Sequence, residues 1–505
     1  MVDIKAIKTA LAEHGLLTGA RGEIPDEAAG ITDDSRKVKR GDVFIAIRGS
    51  TSDGHDYLSV AAEKGAAAAI VEDPSRTSLP VLWVREGRRA AALAASTAFG
   101  NPARTLRLIG VTGTNGKTTT TSILRHIFDD GHGSSASIGT LGVLLGSEGD
   151  VLPGGSGLTT PGPVELQRVL RELADRGVRT LAMEVSSHSL DQRRIDGLWF
   201  DVVVFTNLTR DHLDYHGTME NYFRAKARLL DYLKEGGTAV VNADAPEWAQ
   251  LKLPPQSVQF AVRARGDVRA QNIRFEPHGS EWDLVTPDGS SHVSLPLIGD
   301  VNVENALAAA ASAFALGLPT SAIAERLSSV PQVAGRLEII STRPTVLRDY
   351  AHTPDALERS LHTARAFTRG KLIVVFGAGG DRDKGKRPLM GDIAERGADC
   401  AIVTSDNPRT EDPDAIINDI EAGMRLSNHE RVTDRLSAIK RALEIAEADD
   451  IVLLAGKGHE TYQVRGTTSY PFDEKEIVRE LIGGEKRGAG RGKRQGGKGK
   501  RSPRK

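Results

Sequence analysis

The sequence predicts an α/β protein of three domains, at least two of them built on parallel sheets. The chain has 505 residues, and a domain usually holds roughly 150 residues. Apolar runs such as TLRLIGVT, TLAMEVSS and KLIVVFGAGG alternate with longer amphipathic stretches such as VELQRVLRELADRG. This alternation indicates βαβ units, in which helices connect parallel strands. In such sheets ligands bind beyond the carboxyl ends of the strands, where these runs end in Gly, Ser or Asp.

Composition shifts and turn signals divide the chain into three domains and a tail. The Asn101-Pro102 turn closes the first domain, which contains two strand candidates, Val43 to Ile47 and the stretch GAAAAIVED. The expected divisions are residues 1–103, 104–331 and 332–485, followed by a basic tail of residues 486–505.

Three observations predict a cytoplasmic protein. The single cysteine, Cys400, excludes an internal disulfide framework and fits a reducing compartment. The first residues, MVDIKAIKTALAEHG, are polar and periodic and lack the apolar core of a signal peptide. No stretch reaches the roughly 18 apolar residues that a membrane span requires.

The tail from Lys486 to Lys505 holds ten of the 66 basic residues and no acidic residue. Its Gly-rich composition cannot bury a core, so the segment is expected to be disordered. Two interpretations stay open, a loose contact with RNA or another acidic surface and a solvated appendage. The solvated appendage is favoured, and nucleic acid is not expected as a partner beyond such contacts.

A glycine-rich loop between a predicted strand and a predicted helix is a candidate phosphate site. Glycines let backbone N–H groups approach phosphates, and the helix N-terminus adds a positive partial charge. Lys117 can neutralise terminal phosphates and the Thr118 hydroxyl can bind Mg²⁺. Val111 stands where the usual loop has glycine, so the match is to the variant GTNGKTT; the alternative is a glycine-rich turn followed by an unrelated Lys-Thr. The candidate residues are Gly113, Thr114, Asn115, Gly116, Lys117, Thr118 and Thr119.

With TGTNGKTT as its first motif, the sequence resembles the Mur ligase family over residues 20 to 480 or so. The resemblance implies a domain for a UDP-linked substrate, a central P-loop ATPase domain and a C-terminal Rossmann-like domain. It also implies an ATP-dependent ligase that activates a carboxylate as an acyl phosphate, which an amine then attacks.

The resemblance assigns the metal and catalytic residues. Glu184 lies in MEVSSHSLDQRR and His212 in NLTRDHLDYHG, and family members bind a second Mg²⁺ with the matching Glu and His, whereas Thr118 serves Mg²⁺ at the phosphate loop; a lone histidine is more often structural. Lys226, in YFRAKARLL, matches a lysine that the family carbamylates, which gives it a carboxylate-like end near Mg²⁺. The implied catalytic residues are Lys117, His212, Lys226 and Arg336.

Further matches concern ATP. Asn302 and Asn305, in GDVNVENALAAAA, stand where the family places an Asn against adenine, although Val301 replaces a common aromatic. Asn302 as a helix cap is the alternative, and the two roles can coexist. Arg336 in VAGRLE would reach the terminal phosphate as the domains close, and DYAHTPDAL adds the candidates Asp349 and His352.

Three features resemble the family members that add the third amino acid to a UDP-N-acetylmuramoyl peptide. The segment DSRKVKRGDVFIAIRG implies a uridine-diphosphate site, with an ordinary turn as the alternative; GDRDKGKRPLM and GKGHETYQ are also shared. The residues implied for the muramoyl-dipeptide substrate are Asp34, Ser35, Arg36, Thr159, Thr160, Ser186, Gln192 and Arg194.

The incoming amino acid is suggested by the run Asp406-Asn407-Pro408-Arg409. In the family DNPR accompanies meso-diaminopimelate, whose distal carboxylate an arginine can hold with two hydrogen bonds. An Asn-Pro turn with an exposed arginine is the alternative, and L-lysine or L-ornithine stays open as the substrate. The amino-acid site is therefore expected to contain Arg387, Asp406, Asn407, Arg409, Gly456 and Glu460.

The expected activity is ATP- and Mg²⁺-dependent ligation of meso-diaminopimelate to UDP-N-acetylmuramoyl-L-alanyl-D-glutamate in peptidoglycan synthesis. The protein is expected to be a monomer, to have small molecules as its partners and not to insert into membranes. Two rivals remain. Folylpolyglutamate synthase shares the ATP loop without needing DSR or DNPR. A nucleotide-dependent binding protein that uses the basic tail on RNA would bind or hydrolyse ATP without forming an amide.

Overall fold

The computed structural model describes residues 1–49, 52–153, 157–276 and 278–489, with side chains as far as residue 482. It separates into two compact units. The first comprises Met1–Pro296 and Asp300–Pro331, and the second comprises Leu297–Gly299 and Gln332–Lys505. Among the described residues, no helix is both long and apolar enough to cross a membrane.

The first unit begins with a small sheet of its own. Its elements are β1 (Val2–Asp3), α1 (Ile4–Glu13), β2 (Leu17–Arg21), β3 (Glu27–Ala28), β4 (Ile31–Thr32), β5 (Val43–Ile45), α2 (Leu58–Glu63), β6 (Ala68–Val71), β7 (Val81–Val84) and α3 (Gly87–Ala98). The strand order is β2-β7-β6-β5-β4, parallel from β4 to β7 with β2 antiparallel at the edge. The predicted strands at Val43 and in GAAAAIVED are confirmed as β5 and β6.

A larger sheet follows in the same unit. Its elements are β8 (Arg107–Thr112), α4 (Lys117–Phe128), β9 (Ser135–Gly139), β10 (Gly142–Leu145), β11 (Asp150–Leu152), α5 (Pro163–Asp175), β12 (Thr180–Glu184), α6 (Ser187–Asp191), β13 (Phe200–Phe205), α7 (Leu213–His216), α8 (Met219–Ala227), β14 (Leu233–Asn242), β15 (Ser257–Ala261), β16 (Val268–Glu276), β17 (Gly279–Thr286), β18 (Gly289–Leu295), α9 (Asp300–Ala315) and α10 (Thr320–Ser328). Short 3₁₀ helices cover Gly54–Tyr57, Pro74–Arg76, Pro102–Thr105, Arg228–Tyr232 and Pro246–Gln250.

The large sheet has a parallel centre and antiparallel edges. Its order is β11-β10-β9-β12-β8-β13-β14-β15-β16-β17-β18. The seven central strands, β9-β12-β8-β13-β14-β15-β16 in spatial order, pair in parallel. Strands β10 and β11 at one edge and β17 and β18 at the other pair antiparallel. Strand β8 lies between β12 and β13, so the carboxyl ends of three buried strands meet where the phosphate loop begins. The predicted parallel α/β class is confirmed, and the antiparallel edges add to it.

The second unit has a separate sheet. Its elements are β19 (Glu338–Thr342), β20 (Thr345–Asp349), α11 (Pro354–Arg365), β21 (Leu372–Phe376), α12 (Lys386–Gly397), β22 (Cys400–Val403), α13 (Pro413–Glu421), β23 (His429–Arg431), α14 (Arg435–Ile445), β24 (Ile451–Ala455), β25 (Tyr462–Arg465), β26 (Thr468–Pro471) and α15 (Glu474–Ala489). The order β19-β20-β24-β21-β22-β23 is parallel from β20 to β23. The predicted strands KLIVVF, CAIV and DIVLLA are confirmed as β21, β22 and β24.

The last helix runs past the predicted start of the tail. Disorder was expected from Lys486, yet α15 continues to Ala489, because residues 474–489 contain no proline that would end the helix. The rest of the predicted tail, residues 490–505, lies outside the described residues.

A buried ion pair fastens the start of α15 to α14. Arg435 and Glu474 are both fully buried, and Arg435 Nε lies 2.7 Å from Glu474 Oε1. Arg435 Nη2 also donates to the carbonyl of Ala455 at the end of β24. Burying a charge is costly unless it is paired, so this pair is a point at which the second unit is vulnerable.

Replacing Glu474 by Gln is expected to lower the melting temperature, because the guanidinium of Arg435 is then buried without a carboxylate. Breaking a buried pair costs about 3–5 kcal/mol, and 1 kcal/mol shifts Tm by about 2–4 °C in a domain of this size. Differential scanning calorimetry is therefore expected to show a loss of roughly 6–20 °C. Glu480→Gln, at an exposed position of the same helix, is the control; equal Tm values for the two variants would contradict the expectation.

Candidate active site

The phosphate loop is held open by the strand beside it. Gly113 has φ +150°, and a Cβ there would lie 1.8 Å from the Thr206 Oγ1 atom that follows β13. Thr206 Oγ1 donates to the carbonyl of Asn115 at 2.7 Å, and the Asn115 N–H donates to Asn207 Oδ1 at 2.8 Å. The loop therefore needs glycine at 113, and Thr206 and Asn207, which were not predicted as site residues, fix its shape.

Two lysines converge on the carbonyl of Gly113. Lys117, the first residue of α4, donates to this oxygen at 2.9 Å and to the carbonyl of Thr114 at 2.8 Å. Lys226, on α8, donates to the same Gly113 oxygen at 2.7 Å. Thr118 and Thr119 follow Lys117 and are buried at the start of the helix. The structure thus brings together the loop and the lysine that the sequence placed far along the chain.

Lys226 is buried in surroundings that disfavour its charge. Its side chain is 1% exposed and lies over the ring of Tyr222, 4.7 Å from the centroid. Burial lowers the pKa of Lys226 well below its ordinary value, and the charge of Lys117 lowers it further. A neutral amine is the form that reacts with carbon dioxide, so the site favours the carbamylation that the family resemblance implies.

His212 lies close to both lysines. Burial lowers the pKa of His212, and the charges of Lys117 and Lys226 lower it further against the opposing charge of Asp211. Its ring packs edge-on against His188, with centroids 4.8 Å apart. The uncharged imidazole that results is the form that can bind a metal ion.

Glu184 ends β12 and is anchored by Thr140. The carboxylate accepts the Thr140 N–H at 2.8 Å and the Thr140 hydroxyl at 3.2 Å, and its side chain is 1% exposed. The Thr140 hydroxyl also lies 3.3 Å from that of Thr159. The Thr160 hydroxyl donates to the Glu184 carbonyl at 2.8 Å and accepts the Ser186 N–H at 3.1 Å. The predicted metal ligand and three predicted substrate residues therefore form one network.

Gln192 and Arg194 extend this network. Arg194 donates to the carbonyl of Thr160 at 3.0 Å and, through Nε and Nη2, to Gln192 Oε1. The Gln192 amide donates to the Tyr215 hydroxyl at 3.2 Å, which in turn donates to Asp191 at 2.7 Å. Tyr215 was not predicted, and only its position near His212 in the sequence pointed to it.

The DSR segment follows β4 in the small sheet. Asp34 and Arg36 pair with each other through two hydrogen bonds of 2.9 and 3.0 Å, and the Arg36 side chain is 88% exposed. The carbonyl of Ser35 accepts from Lys64 at 2.9 Å. The preceding Asp33 is directed at the start of α5, with Oδ2 3.7 Å from where a Cβ of Gly162 would lie. The segment therefore lies close to Thr160.

The predicted adenine residues lie against the loop. Asn302 and Asn305, in the first turns of α9, are 3% and 8% exposed, and Asn305 donates to Asn302 Oδ1 at 3.2 Å. A Cβ at Gly116 would lie 2.3 Å from Asn305 Oδ1, and Gly116 has φ +85°. The start of α9 thus packs directly on the phosphate loop.

The remaining predicted ATP residues belong to the second unit. Arg336 lies over the ring of Tyr350, 4.9 Å from its centroid. Asp349 accepts the Leu337 N–H at 2.7 Å and the Ala351 N–H at 3.0 Å, and burial raises its pKa. His352 is exposed, with Nδ1 2.8 Å from the Tyr350 carbonyl. In this unit Asp349 shapes the backbone around Arg336.

The amino-acid candidates after β22 and β24 form a second network. Asn407 donates to Glu460 at 2.8 Å, and the buried Lys457 donates to both side chains at 3.2 Å. Lys457 was missed in the sequence, where it stands between two candidates. Asp406 Oδ2 has no hydrogen-bond partner in the described part of the chain, and it would lie 2.5 Å from a Cβ at Gly456. That glycine, with φ +115°, leaves room for the carboxylate oxygen, which is buried.

Three arginines differ sharply in their surroundings. Arg409 donates to the carbonyl of Gly380 at 2.8 Å. Arg387 is fully buried beneath the loop, with Nη1 and Nη2 on Glu411 and Nη1 also 2.8 Å from Asp419. Its guanidinium lowers the pKa of Glu411 to about 2. Arg382 is exposed and lies beside Arg409. A Cβ built on Gly379 would be 3.7 Å from Arg382 Cγ and 2.9 Å from Arg409 Nη1, so both arginines border the same glycine. The guanidinium of Arg382 is thus exposed, whereas that of Arg387, whose ligand role stays a prediction, is engaged by two carboxylates.

Family models match most of the described chain. The Mur ligase middle domain matches residues 111–313, the Mur ligase glutamate ligase domain matches residues 335–458, and the Mur ligase family catalytic domain matches residues 27–101. The chain belongs to the Mur ligase family.

Relatives within the Mur ligases agree with this assignment. The UDP-N-acetylmuramoyl-L-alanyl-D-glutamate–2,6-diaminopimelate ligase of Bacillus licheniformis is 44% identical over 91% of this chain and 96% of its own. A solved structure of a ligase with the same name is 34% identical, with a TM-score of 0.64, over 91% of this chain and 96% of that one. Mycobacterium tuberculosis folylpolyglutamate synthase is 18% identical, with a TM-score of 0.60, over 79% of this chain and 95% of that one, and shares the fold alone.

The residues of this Mur ligase fit a magnesium ion. Mg²⁺ is usually held by one or two carboxylates together with phosphate oxygens and waters. Glu184 keeps acceptor capacity beyond its two bonds to Thr140, and Thr118 and His212 add a hydroxyl and a neutral imidazole. Among the described residues no group of three or more His, Cys, Asp or Glu side chains could hold a metal by itself, so phosphate oxygens and a carbamylated Lys226 would have to complete the site.

Proposed function

We propose that the chain joins meso-2,6-diaminopimelate to UDP-N-acetylmuramoyl-L-alanyl-D-glutamate with consumption of ATP, as a step of peptidoglycan precursor synthesis. The observation that carries the proposal is the convergence of three groups at one edge of the large sheet: the phosphate loop with Lys117, the buried Lys226, and the Glu184 network that leads to Arg194. The name of the 44% identical relative supports the choice of both substrates.

In the first step an oxygen of the D-glutamate γ-carboxylate attacks the γ-phosphorus of ATP. ADP leaves and an acyl phosphate forms. Lys117 and the N-terminal end of α4 bind the phosphates, and Thr160, Ser186, Gln192 and Arg194 orient the dipeptide. Thr118, Glu184, His212 and carbamylated Lys226 would hold Mg²⁺, which would supply positive charge to offset that of the phosphoryl group.

In the second step the amine of diaminopimelate attacks the acyl carbon, and phosphate leaves from the tetrahedral intermediate. We place the amino acid in the second unit, between the arginines Arg382 and Arg409 and the carboxylates Asp406 and Glu460. Two positive and two negative side chains match the carboxylate and ammonium groups of a diamino diacid. L-Lysine lacks the distal carboxylate and would leave an arginine without its partner.

The remaining sequence-based assignments form part of the same proposal. They are the domain division at residues 103, 331 and 485, the uridine-diphosphate role of Asp34, Ser35 and Arg36, the ATP roles of Asn302, Asn305, Arg336, Asp349 and His352, a cytoplasmic location and a monomeric state. The buried Asn302 and Asn305 support the ATP roles on α9, since Asn305 lies against Gly116 and donates to Asn302.

Phosphate release by the purified chain tests the proposal. ATP, Mg²⁺ and UDP-N-acetylmuramoyl-L-Ala-D-Glu are supplied with meso-diaminopimelate, L-lysine or L-ornithine in turn, and products are identified by mass spectrometry. We expect turnover and a tripeptide product with diaminopimelate. Turnover with another diamino acid instead would refute the assigned amino acid, and absence of tripeptide with all three would refute the ligase. A folate substrate in parallel tests the folylpolyglutamate alternative.

A further inference from the structure

Two arginines beside the Gln192 network lack an acidic partner. Arg88 lies at the start of α3, is half-buried, and donates through Nε to the carbonyl of Arg48 at 3.0 Å. Arg194 donates to neutral oxygens, those of the Gln192 amide and the Thr160 carbonyl. Within the described residues, no carboxylate forms an ion pair with either guanidinium.

Neighbouring arginines of the same region are paired. Arg89 lies 3.4 Å from Asp196 and 3.9 Å from Glu86. Arg48 itself lies 3.3 Å from Glu72 and 3.7 Å from Asp53. Arg88 therefore differs from Arg48 and Arg89, which both have carboxylates within reach, although its own side chain is half-buried. This difference indicates that its charge serves something other than the stability of α3.

Packing brings Arg88 to the loop that carries Arg194. The Arg89–Asp196 pair joins the first turn of α3 to this loop two residues beyond Arg194. A Cβ at Gly197 would lie 3.3 Å from Leu93 on α3, so helix and loop are in direct contact. Burial lowers the pKa of Arg194, and the positive charge of Arg88 lowers it further. Two positive charges in one region repel each other, and a bound anion offsets that repulsion.

We propose that Arg88 binds the UDP-linked substrate, forming with Arg194 a two-arginine site for one of its anionic groups. This inference rests on the proposed function, because it takes its ligand from that reaction. The substrate offers two anions of suitable chemistry, the diphosphate of UDP and the free α-carboxylate of D-glutamate. Arginine binds phosphate and carboxylate equally well through two parallel hydrogen bonds.

The test is calorimetric binding of UDP-N-acetylmuramoyl-L-Ala-D-Glu to the full-length chain, so it does not depend on turnover. In Arg88→Gln we expect Kd to rise roughly 10- to 100-fold, the usual worth of a hydrogen bond to a charged group. Arg88→Lys is expected to restore part of the affinity, because it keeps the charge without the two-pronged geometry. Arg85→Gln removes an exposed charge three residues away and is expected to bind like the wild type.

Steady-state kinetics separate binding from a structural role. In Arg88→Gln we expect KM for the UDP-linked substrate to rise while kcat, KM for ATP and the melting temperature stay near wild-type values. An unchanged Kd overturns the proposal. So does a loss that Arg88→Lys does not relieve, or one in which Tm falls and every KM rises together.

Two further ligands identify the anion. If the diphosphate is bound, Arg88→Gln also weakens binding of UDP alone. If the α-carboxylate is bound, UDP is unaffected, and the difference between wild type and Arg88→Gln disappears with a substrate that carries D-isoglutamine. A wild-type chain that binds the UDP-linked substrate without ligating it would refute the proposed function but not the Arg88 site. A wild-type chain that binds neither UDP nor the UDP-linked substrate would refute the proposed function and the Arg88 site together.

Discussion

Replacing Lys226 by Met is expected to lower kcat by about 10²–10³-fold, the loss seen when one preorganised charge-stabilising group is removed from an active site. Methionine keeps the buried hydrocarbon volume but has no nitrogen that can be carbamylated. Because the native amine is already disfavoured as a cation, its removal is expected to leave the melting temperature close to that of the wild type. Steady-state phosphate release at saturating substrates measures the effect, with Lys252→Met, an exposed position, as control.

The modification itself is measured separately. With ¹³C-bicarbonate, wild-type protein is expected to show a carbamate carbon resonance that Lys226→Met lacks and Lys252→Met keeps. In Lys226→Ala, added formate or acetate is expected to restore part of kcat by placing a carboxylate in the vacated space. A Lys226→Met enzyme with wild-type kcat, or a wild-type enzyme without the resonance, would contradict the proposed role of the carbamate.

Replacing Arg409 by Ala is expected to lower kcat/KM for meso-diaminopimelate by about 100-fold, the worth of roughly 2–3 kcal/mol in hydrogen bonds to a charged group. The distal carboxylate loses its partner, whereas L-lysine has no group there to lose. Discrimination between the two amino acids is therefore expected to fall by a similar factor. Competition assays with mass analysis of the tripeptides measure this ratio, and Arg369→Ala, an exposed arginine of the same unit, is the control.

Two neighbouring arginines sharpen this prediction. Arg382→Ala is expected to raise KM for diaminopimelate without changing Tm, because Arg382 is exposed beside Gly379. Arg387→Ala is expected to lower Tm, because it leaves Glu411 and Asp419 without their buried cation. The opposite pattern, a change of KM with Arg387→Ala and none with Arg382→Ala, would return the ligand role to Arg387.

The parallel strands could be predicted because their signal is local. A run such as LIVVF or IVLLA is buried on both faces, so every position is apolar and the strand stands out in the sequence. Strands β16 to β18 were not predicted. In β17, the stretch GSEWDLVT alternates buried and half-buried residues, so it lacks the continuous apolar run that marks the parallel strands.

The candidate site could be predicted where a motif indicates the chemistry, whereas contacts that depend on packing alone could not. Lys226 could be located through a family motif, although nothing in YFRAKARLL shows that it meets the Gly113 carbonyl. Arg382 and Arg387 both occur in the motif GDRDKGKRPLM, and only the fold shows that the second of them pairs with Glu411. Arg88 belongs to no motif. It stands out only in the structure, where it lacks the carboxylate partner that Arg48 and Arg89 have.

Asn305, whose side-chain oxygen would lie 2.3 Å from a Cβ at Gly116, constrains how this loop can evolve. A side chain at 116 meets two independent obstacles, the amide of Asn305 and a left-handed φ of +85° that L-residues disfavour. Shortening Asn305 removes the contact but not the unfavourable φ. No single substitution elsewhere in the chain therefore makes a side chain at position 116 tolerable. Directed evolution toward another nucleotide base can therefore randomise Asn302 and Asn305 freely in a library, but every productive clone is expected to retain glycine at 116.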